Sequence, residues 1–261
     1  MGNLIKMDIR RLFLSKVFYI AMAITAVLNF SIYIVTPILS KFFTSGQNTV
    51  TQELTEIISQ PFPVAIFMVT MIISAVSFAF ADIANGYIKN IAGQIKRKSD
   101  TIVSKFIVLG FHNFIFMLVS MLSCMIAAFA ASATGFEQIT VSGNLIFPAI
   151  LTFLIKWMLS MAIISILLFI TTGIKNKTIA SVFGVILSTG ALGMVYFGLN
   201  EAIKNIFKIT VSIGSYTPDS LIDTVSVGQN IAVLNAIIVS IVFSALFLAL
   251  TIKVFNSRDV K

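Results

Sequence analysis

Residues 146–172 read IFPAILTFLIKWMLSMAIISILLFITT, a run without aspartate or glutamate and with one charged side chain, Lys156. A helix of about 20 apolar residues crosses the roughly 30 Å hydrocarbon layer of a bilayer, where lipid offers no partner to a free backbone N–H or C=O. The run is long enough to do this. Working outward, five more such stretches occur, at 17–39, 62–81, 106–134, 178–200 and 230–252, and none of the six holds an acidic residue. They fill more than half of the 261 residues. The composition agrees: 58% of residues are apolar, 11% are charged and mean hydropathy is +1.02, whereas about a quarter of a soluble protein is charged. The expected fold is therefore all-α, one polytopic membrane domain over 1–261 with six transmembrane helices. The spans at 106–134 and 146–172 exceed what the hydrocarbon core requires, through tilt or protrusion. Cys124 is the single cysteine, so neither an intrachain disulfide nor a zinc cluster is expected.

Orientation follows from the basic residues. With the N-terminus in the cytoplasm, only Lys41, Lys204 and Lys208 fall outside, and Lys156 lies within a span. Every other Lys and Arg is then cytoplasmic, as the positive-inside rule requires. Both termini are expected there. The first apolar run, though preceded by Lys6, Arg10, Arg11 and Lys16, is too long for a signal peptide and no A-x-A cleavage site follows it, so it is expected to remain attached. The net charge of +8 then reflects topology and attraction to anionic lipid, and no nucleic-acid partner is expected.

Outside the spans, residues 4–15 place Ile5, Ile9, Leu12 and Phe13 on one helical side, which suits an interfacial helix in the headgroup region. Val50, Leu54, Ile57 and Ile58 fall at helical spacing before Pro61 and Pro63, predicting a short external helix. Residues 201–226 divide at Gly214, with Ile203, Ile206, Phe207, Thr210 and Val211 as a stripe before it. After it, Thr217–Pro218 reads as an N-cap with proline at the first helical position. This predicts an external helical hairpin before span six, either dipping into the outer leaflet or sealing the bundle from its surface.

Little of the sequence carries catalytic chemistry. There is no G-x-x-x-x-G-K-[ST] phosphate loop, no H-E-x-x-H, no paired carboxylates and no Ser/His/Asp arrangement, so no enzyme and no metal or cofactor site of its own is expected. Two ionisable residues fall inside spans. Lys156, beside Trp157, sits roughly 15 Å into its helix, where a charge must face protein or water or snorkel outward. Both residues are candidates for a substrate path. His112, beside Asn113, is either hydrogen-bonded to a neighbouring helix or a further residue of that path. Small residues at Ala75 and Ala79, Ala127 and Ala131, and Ala180 and Gly184 have the spacing of close helix packing.

The stretch 82–105, DIANGYIKNIAGQIKRKSDTIVSK, is cytoplasmic in this topology. At about 100° per residue, Ala84, Tyr87, Ile88, Ile91 and Ile95 share one side while Asn85, Lys89 and Lys96 take the other. An amphipathic helix over 83–97 is predicted. It either inserts into a groove on a soluble partner or rests on anionic headgroups.

This stretch resembles one in the permease subunits of type-two ATP-binding-cassette exporters, particularly the small permeases of bacterial peptide, bacteriocin or lantibiotic export and immunity. The shared pattern is an acid (Asp82), a glycine (Gly86), an aliphatic with lysine (Ile88, Lys89), a basic residue (Arg97), and Ser104–Lys105 opening span three. Asp82 and Tyr87 depart from the usual Glu and Thr. The order of interfacial helix, spans and external hairpin is also similar over nearly the whole chain. The resemblance implies a multi-pass protein of the bacterial cytoplasmic membrane, pairing with a second permease, identical or a sister, and resting on a nucleotide-binding ATPase subunit. ATP and Mg would be bound by that partner and by none of this chain. Asp82, Gly86, Tyr87, Ile88, Lys89, Ile91, Ile95 and Arg97 would couple to the ATPase, and Phe207, Tyr216 and Pro218 would form the external gate. The cargo would be an amphipathic peptide or lipid-like molecule. A secondary transporter or channel, and a non-transporting scaffold or immunity protein, are the alternatives.

Overall fold

The computed structural model describes residues 1–43, 50–62, 65–84, 97, 99–135, 137–210, 212–227 and 230–257. These are mostly helical: α1 (Gly2–Leu14), α2 (Lys16–Phe43), α3 (Leu54–Ser59), α4 (Ala65–Ala84), α5 (Ser99–Ala133), α6 (Ile146–Ile174), α7 (Lys177–Ser188), α8 (Leu192–Phe207), α9 (Pro218–Thr224) and α10 (Asn230–Asn256). Two short strands, β1 (Val50–Glu53) and β2 (Glu137–Thr140), complete the list with 3-10 turns at Gly143–Leu145 and Ile213–Tyr216. By length and composition four helices can cross a membrane: Lys16–Leu39, Ser99–Ala133, Gly143–Ile174 and Val233–Asn256. The bent pair α7 and α8 makes a fifth if counted as one span, and the apolar segment Ile66–Ala81 of α4 is shorter.

The opening run forms the centre. In its most apolar window 67% of α6 is buried, against 22% of α2 and 17% of α10, so the other helices surround it. Alongside, α10 runs in the same direction: the Ser165 hydroxyl meets the Phe243 carbonyl at 3.5 Å, and the Phe169 ring meets Phe247 at 5.8 Å. Ala180, Gly184 and Ser188 form the buried side of α7, which packs on α4 with Gly184 against Ile72. Polar side chains inside the bundle find one another, as buried polar groups must. Thr25 bonds Thr70 at 2.7 Å, and the Asn29 amide donates to the Ser120 and Ser123 hydroxyls at 2.7 and 3.2 Å.

Three expectations change. The mostly helical fold carries two short strands that were not expected: β1 and β2 pair in parallel, Val50 opposite Glu137 through Glu53 opposite Thr140. Each strand follows a helix leaving the same end of the bundle, so both chains point the same way when they meet. Val50 consequently belongs to a strand, and the external helix is shortened to Leu54–Ser59. The interfacial helix spans Gly2–Leu14 and is clamped to protein, with Asp8 and Leu12 buried and Ile5 and Ile9 packed against the core.

The third change is the span at 178–200, which is broken. Its start is local: Asn176 caps α7, its side-chain oxygen accepting from the N–H groups of Thr178 and Ile179. The helix stops at Ser188 and resumes at Leu192 with a bend of 66°. Gly190 lies between, at φ +68, and the Ser188 and Thr189 hydroxyls donate to the Val185 carbonyl at 3.0 and 2.9 Å. Hydroxyls beside a left-handed glycine satisfy backbone groups at a helix end. The predicted hairpin 201–226 therefore begins inside α8. A Cβ at Gly190 would meet nothing within 4 Å, so Gly190→Ala should cost about 1–2 kcal/mol of backbone strain alone. Thermal unfolding followed by Trp157 fluorescence measures this; unchanged stability would mean that the left-handed turn is not what holds the break.

Candidate functional site

Two groups of candidate side chains stand apart in the bundle. The first is a polar joint at the foot of α5. Asp8, 3% exposed, accepts from the Ser104 hydroxyl at 2.8 Å and pairs with Arg11 at 3.3 Å. Next to Ser104, the buried Lys105 ammonium donates to the Ala79 carbonyl of α4 at 3.2 Å and lies 5.3 Å from the centre of the Phe78 ring. Thus α1, α4 and α5 are tied together near the end of α4 and the start of α5. Of the coupling candidates, Arg97 is exposed and Asp82 lies in the last turn of α4. Gly86, Tyr87, Ile88, Lys89, Ile91 and Ile95, and with them most of the helix predicted over 83–97, lie outside the described residues.

The second group surrounds Lys156. Its side chain is 5% exposed and forms no hydrogen bond or ion pair among the described residues. The carboxylate acting on it through space is Asp223, on the exposed edge of α9. Burial raises the Asp223 carboxyl above its ordinary range, the Lys156 charge opposes this, and Asp219 adds to it. Asp219, one turn earlier, is buried and accepts the Tyr196 hydroxyl on both oxygens at 3.0 Å, tying α9 to α8. Two further bonds hold this corner: Asn200 accepts from the Ile213 N–H, and Asn235 donates to the Ser215 carbonyl.

Trp157 faces away from this pair. Its indole N–H donates to the Gly110 carbonyl at 3.1 Å, and its ring contacts Phe114 edge-on at 5.8 Å. It also walls an open groove of about 370 Å³ between α5, α6 and α10, lined chiefly by Phe106, Met158, Met161, Ile241 and Leu248, with Ser240 and Ser244. That volume lies in the range of small-molecule sites, roughly 300–1,000 Å³.

His112 is fully buried, Nε2 lies 3.0 Å from the Ser74 hydroxyl of α4, and the imidazole packs against Phe18 and Phe116. This is the inter-helix hydrogen bond of the two sequence alternatives. Asn113 beside it donates to the Ser160 hydroxyl. Of the gate candidates, Phe207 ends α8 exposed, Tyr216 is exposed in the second 3-10 turn, and Pro218 opens α9 buried. Thr217 takes the N-cap position as predicted, although its hydroxyl donates back to Gly214. Sequence reasoning missed Asp8, Asp219 and Asp223. The last two fall at i and i+4 of a proline-started helix, a spacing that puts both on one face; Asp8 gave no signal, since a charge beside Arg10 and Arg11 reads as surface.

Among the described residues no cluster of three or more His, Cys, Asp or Glu could hold a metal ion. No protein-family model matches the chain, and none of the curated proteins does.

Proposed function

We propose that the chain is the membrane permease subunit of an ATP-binding-cassette exporter of the bacterial cytoplasmic membrane. In this reading α2, α4, α5, α6, the α7–α8 pair and α10 make six transits, with both termini and the 85–98 stretch cytoplasmic. The reading is supported by the two strands sharing one end of the bundle while α1 and the foot of α5 share the other, where the basic residues concentrate. The carrying observation is the buried joint of Asp8, Ser104, Lys105 and the Ala79 carbonyl. A push on a short helix moves spans only if the spans are fastened at that point, and this joint fastens three helices beside the amphipathic stretch. An ATPase subunit gripping Ile88, Lys89, Ile91 and Ile95 would drive α4 and α5 together. A second permease copy would complete the pathway. The apolar groove beside Trp157 favours an amphipathic or apolar cargo, a membrane-active peptide foremost.

The test is co-purification, from membranes of cells that express the chain, of a phosphate-loop ATPase. Ile91→Asp combined with Ile95→Asp should reduce partner retention at least tenfold while membrane insertion persists. Undiminished retention would remove the coupling assignment.

A second reading, an ion- or proton-coupled carrier, is favoured by one observation: the 66° break between α7 and α8 in a chain whose α6 also holds the buried Lys156. Broken helices and intramembrane charges are what such carriers use. Cargo movement across vesicles by the chain alone, without nucleotide, would select this reading over the first.

A further inference from the structure

We infer that α8 is a lipid-seated arm: it runs obliquely through the outer half of the bilayer, its first half among acyl chains and its second half among headgroups. The inference deepens the reading of α7 and α8 as one transit of a membrane and rests on it, independently of the exporter assignment.

Length sets the slope. The hydrocarbon layer is roughly 30 Å thick, and the 12 residues of α7 cover about 18 Å of it at about 1.5 Å per residue. The 16 residues of α8 make a rod of about 24 Å. That rod is bent by 66° from α7. With α7 along the membrane normal it rises by about 10 Å and travels about 22 Å sideways. The two helices together rise about 28 Å, close to one hydrocarbon thickness. The far end of α8, with Lys208 after it, therefore reaches the outer boundary while the rest of the arm lies within the outer half.

The surface of the arm names its surroundings. No residue of α8 is buried among the described residues. Its bonds to α9 and the turn before it leave from one side, Tyr196 donating to Asp219 and Asn200 accepting from the Ile213 N–H. Residues 192–199 carry no charge. Met194, Val195, Phe197 and Leu199 are exposed, and at about 100° per residue they take up the rest of the circumference, with Val195 and Phe197 on opposite sides. A partner helix covers one face, whereas acyl chains, as apolar as leucine, cover all of them. From Glu201 onward the pattern changes. Glu201, Lys204, Asn205 and Lys208 fall on one side, and Ile203, Ile206 and Phe207 on the opposite one. An apolar face with a charged back is the pattern of a helix in the headgroup region. Apolar all round and then amphipathic is the order of surroundings that a rod meets as it climbs out of hydrocarbon at a shallow angle.

The test uses the full chain in phosphatidylcholine vesicles, without ATPase or nucleotide. Val195→Cys, Phe197→Cys, Lys204→Cys and Ile206→Cys each carry a nitroxide label; all four positions are exposed, so no core contact is removed. Cys124 is buried, and the unmodified chain gives its background. Collisions of the label with oxygen, which concentrates in hydrocarbon, are compared with collisions with a water-soluble nickel chelate. The oxygen-to-nickel ratio at Val195 and at Phe197 should exceed that at Lys204 about tenfold. Val195 and Ile206 lie on one line of the helix, about 16 Å apart along its axis. The slope set by the 66° bend puts Ile206 about 7 Å shallower than Val195. A depth difference of about 16 Å would make α8 an upright span and overturn the inference. Labels at Val195 and Phe197 reached by nickel would place the arm in water, and labels shielded from both reagents would place a second copy or another protein over it; either result overturns it. Leu246→Cys, at an exposed position of α10, separates the failures. Leu246 in hydrocarbon with Val195 outside it removes the inference alone, and Leu246 reached by nickel removes the membrane transits and the inference with them. The exporter assignment is read by ATPase retention, which none of these labels touches.

Discussion

Gly184→Leu is expected to destabilise the protein by about 3 kcal/mol, at the upper end of what overpacking a well-filled core costs. A Cβ built on Gly184 would stand 2.3 Å from the Ile72 Cγ2 and 3.5 Å from Leu167. Ile72 is fully buried, and its Cγ2 is held on a branched Cβ that cannot swing clear without changing rotamer. Even Gly184→Ala sets two effects against each other. Alanine gains about 1 kcal/mol of helix propensity over glycine, while the clash pushes α4 and α7 apart; the clash wins, for a net loss of about 1–2 kcal/mol. Leucine gains nothing further from lipid, which is as apolar as its own side chain. Unfolding in mixed detergent, read by Trp157 fluorescence, gives the values. Combining Gly184→Ala with Ile72→Ala should recover part of the loss, a coupling of about 1 kcal/mol or more between touching residues. Full stability of Gly184→Leu would mean that α4 and α7 do not meet along this face.

Asp8→Ala is expected to cost about 2–3 kcal/mol and to free α1 from the bundle. The carboxylate is the acceptor for Ser104 and the partner of Arg11. Removing one member of a buried charged group costs about 3–5 kcal/mol, less here because the Arg11 side chain is 25% exposed and water can take over part of its solvation. Asp8→Asn keeps an acceptor for Ser104 and should lose roughly half as much, since the charge adds to a hydrogen bond that is already made. Hydrogen exchange separates local from global loss. The amides of Gly2–Leu14 should lose protection in Asp8→Ala while those of α6 keep theirs. If α1 stays as protected as in the unmodified chain, the joint does not hold it, and the mechanical route from the 85–98 stretch into α1 is lost with it.

Much of the fold was legible in the sequence because the backbone of a long apolar run has one local solution. Runs such as 146–172 must satisfy their own N–H and C=O groups and so become helices, with ends marked by residues acting within a turn, Asn176 before α7 and Thr217–Pro218 before α9. Lys156 stood out for a similar reason, as a charge where none is affordable without a neighbour. What lay opposite it was not legible. Asp223 is 67 positions away in the numbering, and only the docking of α9 on α6 brings it near.

The remaining departures share this cause. Strand β1 is too short to announce itself and forms because β2, from a loop 87 positions later, emerges at the same end of the bundle. Asp8 looks like a surface charge until Ser104 closes over it. The break at Ser188, Thr189 and Gly190 was not read in an apolar run taken as one span, and α8 beyond it is held to Asp219 through Tyr196. The amino-acid order determined which segments are helices and which polar side chains stand inside apolar runs, since both are decided within a few residues. Tertiary structure decided which of those side chains meet, because that depends on how whole helices pack.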